Sequence, residues 1–458
     1  MAPSTHFRFT LLTYSLLAAC LKASSISDPS FQQLTFNDPS PHPTSGKPSS
    51  TKLPSFQAVL DESLARSVGK DQLGVLSLEN LKSLHQHIAS LPERRRLRWA
   101  DGHEEWLTEG EKALVMWYEK GRRFVDVTDQ PEESHAQGFV SSASPVTDST
   151  TNQFPTVISH GSQKLANVLK DIEVSRMQSR LAKFTHFRTR YYRSSSGQES
   201  QKWLLELINE LVSASPSNVT VSEFTHPWGQ NSIIARFEPH PASDDTSLES
   251  CSTFVVGAHQ DSTNLLPFLP APGADDDGSG TISILEAFTI LLKRAWSPAP
   301  NQGAVEFMWF SAEEGGLLGS QAIANSYHSE SRNIRGMVQF DMTAFVKAGS
   351  EPNIGLVTDF VDDSLTEYLR LIIDEYLTVG WVNTKCGYAC SDHASWSHIG
   401  VPSAFAIEST FKESNPYIHS INDKFDFPEF SFEHMAQFSR LVLGLVVELG
   451  GNSSAVSK

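Results

Sequence analysis

The chain has 458 residues, of which 36 are Lys or Arg and 53 are Asp or Glu, so its formal net charge is −17. This length allows two or three domains and a large hydrophobic core. The acidic balance argues against nucleic acid or an anionic membrane as a partner, because Lys and Arg drive binding to phosphate.

The first residues have the pattern of a cleaved signal peptide. Arg8 precedes an apolar run from Phe9 to Leu21, and small residues follow the run. The run is too short to span a bilayer, and no later apolar stretch is long enough to do so. We therefore predict a signal peptide over residues 1–23 and a secreted, extracellular protein. The stretch "LAAC" also resembles a bacterial lipoprotein cleavage box, which is a weaker alternative.

Residues 24–150 differ in character from the rest of the chain. Residues 24–60 are rich in Ser, Pro and Thr and should be loosely ordered. The stretches "SLENLKSLHQHIASL" and "EEWLTEGEKALVMWYEKG" have the apolar spacing of helices. Trp99, Trp106 and Trp117 would form an apolar face that needs a partner surface. This composition predicts a helical segment that depends on the next domain for its stability.

A basic patch lies in "ERRRLRWADG", and a polar segment follows at residues 129–153. The patch should be drawn to the acidic surface or site mouth of the next domain. The polar segment has the composition of a protease-sensitive linker. We therefore predict that residues 24–150 are a pro-segment and linker that fold onto the next domain and restrain it until cleavage, as in a zymogen. The alternative is an accessory domain with no effect on activity.

Residues 151–458 are predicted to form one α/β domain. Two helix-like stretches come first, and short apolar runs then alternate with helices. This alternation implies a mostly parallel central sheet flanked by helices. The runs predicted as buried strands are "STFVVGAH", "AVEFMWFSAEE", "IRGMVQFDMT" and "PSAFAIES".

Three of the predicted strands end on side chains of the types that bind metals. His259 and Asp261 follow the first strand, Glu313 and Glu314 the second, and Asp341 the third. Sites in open α/β sheets gather at the carboxyl ends of strands, so we expect these side chains to lie together. Taken alone, Glu313 and Glu314 could instead cap the following helix, since acids favour that end.

The stretch "PGADDDGSG" places Asp275, Asp276 and Asp277 side by side at the same predicted edge. Such a run in isolation is typical of a solvated turn. Here it joins the strand-end acids, and His419 adds a second imidazole from a late loop. So many carboxylates at one edge require cations, and two Zn²⁺ ions would suit the mixed imidazole and carboxylate donors. One of the three aspartates would then bridge the ions.

The cysteines and sequons fit a secreted protein. Cys386 and Cys390 lie in "KCGYACSDH", where their spacing favours a disulfide, and a zinc-binding pair is the alternative. Cys251 is expected to be a buried thiol. Asn218 in "NVT" and Asn452 in "NSS" fit the N-glycosylation sequon.

Five motifs occur in order along the chain: "GAHQDS", "PGADDDGSG", "SAEEGGLLGS", "QFDMT" and "IHSINDK". With them the chain resembles the secreted co-catalytic zinc aminopeptidases, above all the fungal leucine aminopeptidases. The resemblance covers about residues 154–449, and the Trp-rich stretch before it resembles the pro-segment of the fungal enzymes. It implies a monomeric enzyme with two Zn²⁺ ions per chain that removes a leucine-like first residue from peptides with a free N-terminus.

The resemblance also implies a role for each site residue. Glu313 would be the general base, Asp261 would hold the far nitrogen of His259, and Tyr388 would contact the reaction intermediate. Family members carry a cis peptide at the position of Asp276–Asp277. The implied metal ligands are His259, Asp276 as the bridge, Glu314, Asp341 and His419. The implied substrate pocket is Met342, Val357, Phe405, Ile407, Phe411 and Ile418.

Two other functions stay open at this point. A glutaminyl cyclase has a similar fold and uses a single zinc, so the metal count per chain separates it from the peptidase. A noncatalytic binding protein could retain an inactive peptidase domain, although such relatives lose ligands and this chain keeps all five ligand positions and the base. A serine hydrolase is not expected, because the chain has no GxSxG elbow.

Overall fold

Short apolar runs and amphipathic stretches form the strands and helices of a mixed α/β fold in the computed structural model. The structure describes residues 91–118, 123–130, 154–159, 162–239, 252–265, 269–299 and 302–450. The predicted signal peptide, residues 24–90 of the predicted pro-segment, most of the linker, Cys251 and Asn452 lie outside these ranges. Residues Glu93–Lys458 belong to one compact unit.

The helices and strands are, in chain order, β1 (Arg94–Trp99), β2 (Glu104–Thr108), α1 (Glu109–Tyr118), β3 (Phe124–Asp126), α2 (Ser162–Leu169), α3 (Val174–Phe184), α4 (Ser195–Ser213), β4 (Val219–Phe224), β5 (Ser232–Phe237), β6 (Thr253–His259), α5 (Gly278–Lys293), β7 (Ala304–Phe310), α6 (Leu318–Ser329), β8 (Ile334–Phe340), β9 (Asn353–Val357), α7 (Asp363–Tyr376), β10 (Gly380–Thr384), α8 (His393–His398), β11 (Ser403–Ile407) and α9 (Phe432–Gly450). Within the described residues, no helix combines the length and apolar character needed to cross a membrane.

The main sheet has the strand order β10-β9-β11-β8-β6-β7-β5-β4. Its central strands β11, β8, β6 and β7 are parallel to one another, as the sequence predicts. The flanks differ from the prediction, because β5 is antiparallel to β7, β4 to β5 and β9 to β11. The sheet is therefore mixed, with its parallel part at the centre. Helix α5 packs against β6 and β8, and α9 packs against α5.

Residues 93–118 and 123–130, here called the N-terminal subdomain, form a small antiparallel sheet of order β2-β1-β3 with helix α1. The helix predicted over residues 104–121 starts only at Glu109, because residues 104–108 pair with β1 instead. The sequence signal for the turn between β1 and β2 is the dipeptide Asp101-Gly102, which is typical of tight hairpin turns. Gly102 takes a φ of 82° in this turn, which glycine adopts without strain.

Three of the four arginines of β1 are paired within the subdomain. Arg95 donates to Glu109 at 3.0 Å, Arg98 lies 2.7 Å from Glu104, and Arg96 donates to the carbonyl of Val127 at 2.9 Å. The prediction that this basic patch is drawn to the acidic surface or site mouth of the next domain is therefore not supported for these three arginines. The arginine charges hold the strands, helix and following loop of the subdomain together.

The subdomain packs on the main fold through an apolar contact beside the disulfide loop. Val125 and Val127 are buried in one cluster with Leu317, Ala389 and Ala394. Full burial of an aliphatic side chain contributes about 1.5–3 kcal/mol relative to exposure, so the two valines are a substantial part of the attachment. Strand β3 thus lies between the turn after β7 and the loop that leads into α8.

Glu109 is the centre of a buried charge network at the same contact. It accepts from Tyr192 at 2.8 Å and lies 3.0 Å from Arg95, 3.4 Å from Lys112 and 3.4 Å from Arg193. Burial opposes its ionisation, but Lys112 and Arg193 outweigh burial and lower the pKa of Glu109 to about 2. Tyr192 and Arg193 belong to the main fold, so this carboxylate ties the subdomain to it.

We expect Glu109→Gln to lower the free energy of unfolding by about 3 kcal/mol at pH 7, because it leaves buried cations without their carboxylate. The folded-state pKa is lowered, so the stabilisation is full above pH 4.5 and is lost as the pH falls toward about 2. Urea unfolding of the wild type and the variant between pH 7 and pH 3 measures this. Glu105→Gln, at an exposed position of β2, is the control. An equal loss of stability in both variants would contradict the role given to Glu109.

Candidate metal centre and active site

The parallel strands bring the predicted ligands to one edge of the sheet. Strand β6 ends at His259, and β8 ends one residue before Asp341. Glu313 and Glu314 lie in the turn after β7, which is the other neighbour of β6. The carboxyl ends of neighbouring parallel strands meet at one edge, which is why these residues lie close together. The three-aspartate loop before α5 and the loop with His419 close the site.

Asp276 lies between the two imidazoles. His259 Nε2 is 3.2 Å from Asp276 Oδ1 and 3.5 Å from Asp341 Oδ1. His419 Nε2 is 3.0 Å from Asp276 Oδ2 and 3.0 Å from Glu314 Oε2. One carboxylate oxygen thus faces each imidazole, and each imidazole has a second carboxylate beside it. This is the arrangement that a carboxylate between two cations requires.

Asp277 has a different environment from Asp276. One of its carboxylate oxygens lies within 4.8 Å of the potential metal-ligand atoms of His259 and Asp341, but its oxygens are used by the backbone. Its oxygens accept from the backbone N–H groups of His259 at 3.0 Å, Gly280 at 2.8 Å and Met342 at 3.1 Å. Asp277 therefore caps α5 and joins the ends of β6 and β8. The peptide bond between Asp276 and Asp277 is cis, as the resemblance implies.

Two side chains that the sequence reasoning missed fix the three-aspartate loop. Asp423 accepts from the backbone N–H groups of Asp275 at 3.0 Å and Asp276 at 3.1 Å. Asn415 donates to Asp275 Oδ2 at 3.0 Å. The signal for Asp423 was present, since it lies in the motif "IHSINDK" that carries His419. Nothing in the sequence around Asn415 indicates this contact.

The electrostatics of the site fit bound cations. Burial disfavours charge on Asp276, but hydrogen bonds from His259 and His419 hold its pKa below the usual value. Burial alone would lower the pKa of His259, yet Asp341 and neighbouring acids raise it well above its usual value. Asp341 Oδ1 is buried, faces His259 and has no hydrogen-bond partner in the described residues. Imidazole nitrogen and carboxylate oxygen are donors that Zn²⁺ takes readily, so the residues present fit this metal.

The candidate ligands form two donor groups, one around His259 and Asp341 and the other around His419 and Glu314, with Asp276 between them. Glu313 lies beside the two donor groups without joining them. Its Oε2 is 4.0 Å from His259 Nε2. Burial raises the pKa of Glu313 well above its usual value, with Asp392 among the acids that add to the shift. Helix α6 starts at Leu318 with no side-chain cap, so the capping alternative for the two glutamates is wrong.

Asp261 connects the first ligand loop with the turn that carries Glu313. Its Oδ1 lies 3.5 Å from His259 Nδ1, the far nitrogen of the ring, as the resemblance implies. The same carboxylate accepts from the backbone N–H of Glu313 at 3.1 Å and of Glu314 at 3.3 Å. One buried acid therefore orients an imidazole and fixes the backbone of two further site residues.

The predicted pocket residues form one apolar cluster next to Asp341. Cys386 and Cys390 belong to the same cluster and form a disulfide with a Cα–Cα distance of 6.1 Å, so the zinc-pair alternative is not supported. Tyr388 lies between the two cysteines. The six predicted pocket residues that lie in this cluster are Met342, Val357, Phe405, Ile407, Phe411 and Ile418.

The N-terminal subdomain reaches the edge of this cluster. The guanidinium of Arg123 lies over the ring of Tyr388 at 4.9 Å from its centroid and donates to the carbonyl of Cys386 at 2.8 Å. Lys112 donates to the carbonyl of Gly315 at 2.8 Å, two residues after Glu313. Sequence reasoning did not identify either contact, because nothing local links these residues to the site.

Comparison with known proteins places these features among peptidases. The family model described as peptidase family M28 matches residues 240–446. Leucine aminopeptidase 1 of Fusarium vanettenii is 44% identical over 362 residues, which cover 77% of this chain and 86% of that protein. Leucine aminopeptidase 1 of Colletotrichum graminicola is 45% identical over 79% of this chain and 87% of its own length. The crystal structure of the LapA aminopeptidase of Legionella pneumophila is similar with a TM-score of 0.67 and 25% identity, over 79% of this chain and all of that one.

Proposed function

The chain belongs to the fungal leucine aminopeptidases of peptidase family M28, and from this we propose that it is an extracellular dinuclear zinc aminopeptidase. It would remove the N-terminal residue, preferably leucine or another apolar residue, from peptides. The observation that most supports this proposal is Asp276, which has one oxygen toward His259 and the other toward His419. The cyclase and the inactive binding protein are not favoured, because the relatives are named leucine aminopeptidases and the residues proposed as base and metal ligands are all present.

Two Zn²⁺ ions per chain would be held at the two donor groups. His259 and Asp341 would bind one ion, His419 and Glu314 the other, and Asp276 both. When bound, the metal supplies a Lewis acid that lowers the pKa of water toward about 7 and polarises the scissile carbonyl. The free α-amine of the substrate would meet the acids of the site, which limits cleavage to the first residue.

Glu313 would act as general base and then as general acid. It lies next to the donor groups but outside both, so its carboxylate is free to take a proton from the attacking water. It would then deliver the proton to the leaving amine. Asp261 holds the Glu313 backbone, which keeps the carboxylate within reach of the reacting atoms. Tyr388, at the pocket rim, would contact the tetrahedral intermediate.

The apolar cluster next to Asp341 would receive the first side chain of the substrate. Its six proposed pocket residues carry no charge, so leucine and similar side chains are the ones that gain most from burial there. An apolar pocket distinguishes one methylene by only about 1–3 kcal/mol. The preference for leucine over other apolar residues should therefore be graded.

Replacement of Glu313 by Gln should keep both zinc ions and reduce kcat on leucyl-p-nitroanilide by about 10²–10⁴-fold, because it removes the proton carrier alone.

Asp276→Ala should instead lose metal, since each donor group loses an oxygen. Metal analysis by mass spectrometry and steady-state kinetics measure both effects, with Glu351→Gln at an exposed position as control. Near wild-type turnover in Glu313→Gln, or two zinc ions per chain in Asp276→Ala, would contradict the corresponding role.

We further propose that residues 24–150 are a pro-segment that restrains the enzyme until cleavage in the linker. The contacts of the N-terminal subdomain support this. Val125 and Val127 pack on Leu317 beside the turn that carries Glu313, and Arg123 covers one face of Tyr388. A side chain fixed in this way is less free to follow the substrate. The alternative, an accessory domain with no effect, predicts equal activity with and without the segment.

Limited proteolysis between residues 131 and 153 should raise kcat/KM of the secreted protein at matched zinc content. Arg123→Ala should raise the activity of the uncleaved form in part and leave the cleaved form unchanged once the subdomain has dissociated. Arg94→Ala, at the exposed start of β1, is the matched control. Equal turnover before and after cleavage would rule out restraint.

N-glycosylation at Asn218 is part of the proposed secreted form. Asn218 is exposed at the start of the edge strand β4, and Thr220 of the sequon is exposed as well. Protein secreted from a fungal host should lose mass on treatment with an endoglycosidase, and Asn218→Gln should remove one glycan. An unchanged mass in the wild type would count against both secretion-linked glycosylation and this site.

A further inference from the structure

Arg190 is a cation that is completely buried beneath the candidate metal centre. It has no exposed surface and lies between α3 and α4, far in sequence from every proposed ligand. Its guanidinium lies over the ring of Phe184 at 4.2 Å from the centroid. Within the described part of the chain, no carboxylate forms a salt bridge with it. Its guanidinium therefore finds its hydrogen-bond acceptors elsewhere, on the backbone.

The guanidinium donates to three backbone carbonyls. Nε donates to Gln260 at 2.8 Å, Nη2 to Gly273 at 2.8 Å, and Nη1 to Pro272. Gln260 lies between His259 and Asp261 in the first ligand loop. Pro272 and Gly273 begin the three-aspartate loop. One planar group therefore joins the backbones of the two loops that carry the proposed site residues His259, Asp261 and Asp276.

The loops are also joined through the backbone of Arg190. Its N–H donates to Ser262 Oγ at 3.1 Å, and Ser262 Oγ in turn donates to the carbonyl of Ala271 at 2.9 Å. A Cβ at Gly273 would lie 2.8 Å from Arg190 Nη2 and 2.6 Å from the carbonyl oxygen of Asp276. The three-aspartate loop is thus packed directly against the guanidinium, with no room for a side chain between them.

The charge of Arg190 faces acids of the site. Burial lowers its pKa to about 10, and Asp423 and Asp261 act in the opposite direction. The group therefore stays protonated at neutral pH. A buried charge is costly without compensation, and here carbonyl oxygens and the field of the nearby carboxylates provide it. The same charge reduces the repulsion among those carboxylates before any metal binds.

We propose that Arg190 is a positioning residue that clamps the His259 loop to the three-aspartate loop and so keeps the zinc ligands in place in the metal-free protein. This rests on the proposed function, since it assigns Arg190 a task toward the proposed zinc ions. Lysine cannot replace it, because an ammonium group on a flexible stem does not present the planar fork that reaches three carbonyls.

The test is zinc binding by the full chain after removal of metal with a chelator. Arg190→Lys should weaken the binding of at least one Zn²⁺ by about 10–100-fold, the range found when groups that orient metal ligands are removed. Competition with a fluorescent chelator measures this at matched circular dichroism. Arg180→Lys is the control, because Arg180 is a buried arginine of α3 that contacts Glu286 and Thr289 instead of a ligand loop. Wild-type zinc affinity in folded Arg190→Lys would overturn the proposal.

A second measurement uses the wild-type chain and does not depend on the variant folding. Hydrogen exchange of peptides that cover residues 259–263 and 271–278 should be slow in the metal-free protein and change little when Zn²⁺ is added. Fast exchange that slows only with Zn²⁺ would overturn the proposal, since the metal would then order the loops. If the wild type binds no zinc at all, it is the proposed function that fails.

Discussion

Repulsion among buried carboxylates is the constraint that the rest of the fold has to satisfy. Asp276, Glu314 and Asp341 point into one small region at the carboxyl edge of the sheet, and Asp275, Asp277 and Asp423 lie directly behind them. Three kinds of group offset the negative charge of these acids. Backbone N–H groups surround Asp277 and Asp423, imidazoles face Asp276, and the guanidinium of Arg190 lies below the loop. What these groups leave unpaired, above all Asp341 Oδ1, is what a cation would bind.

The parallel centre of the sheet and the grouping of the candidate ligands at its edge could be predicted because both have local signals. Strands β6, β7 and β8 are predominantly apolar runs, and His259, Glu313 and Asp341 lie at or just after their ends. The flanking strands lack such a signal. Strand β4 is half exposed and polar at alternate positions, and β9 is only five residues long. Their pairing is decided by the edges that the central strands offer, which a single stretch of sequence does not reveal.

The supporting residues could not be predicted, for a related physical reason. Asp423, Asn415 and Arg190 act on the backbone of distant loops, and a hydrogen bond to a carbonyl or N–H leaves no pattern in the partner's sequence. The β1 arginines show the opposite error. Their charge is visible in the sequence, but their pairing with Glu104 and Glu109 is not, so the sequence alone predicts an outward-facing patch where the fold forms internal ion pairs.

The turn after β7 is held from two sides, and this connects the subdomain to the chemistry. On one side Asp261 accepts from the N–H groups of Glu313 and Glu314, and also faces the ring of His259. On the other side the subdomain binds the next two residues, through Lys112 at Gly315 and the N–H of Asp126 at Gly316. A proposed base, a proposed ligand and two contact points of the subdomain therefore occupy four consecutive residues. If cleavage released the subdomain as proposed, the turn would lose its contacts at Gly315 and Gly316, while the bonds from Asp261 would still hold Glu313 and Glu314 on the side of the candidate metal centre.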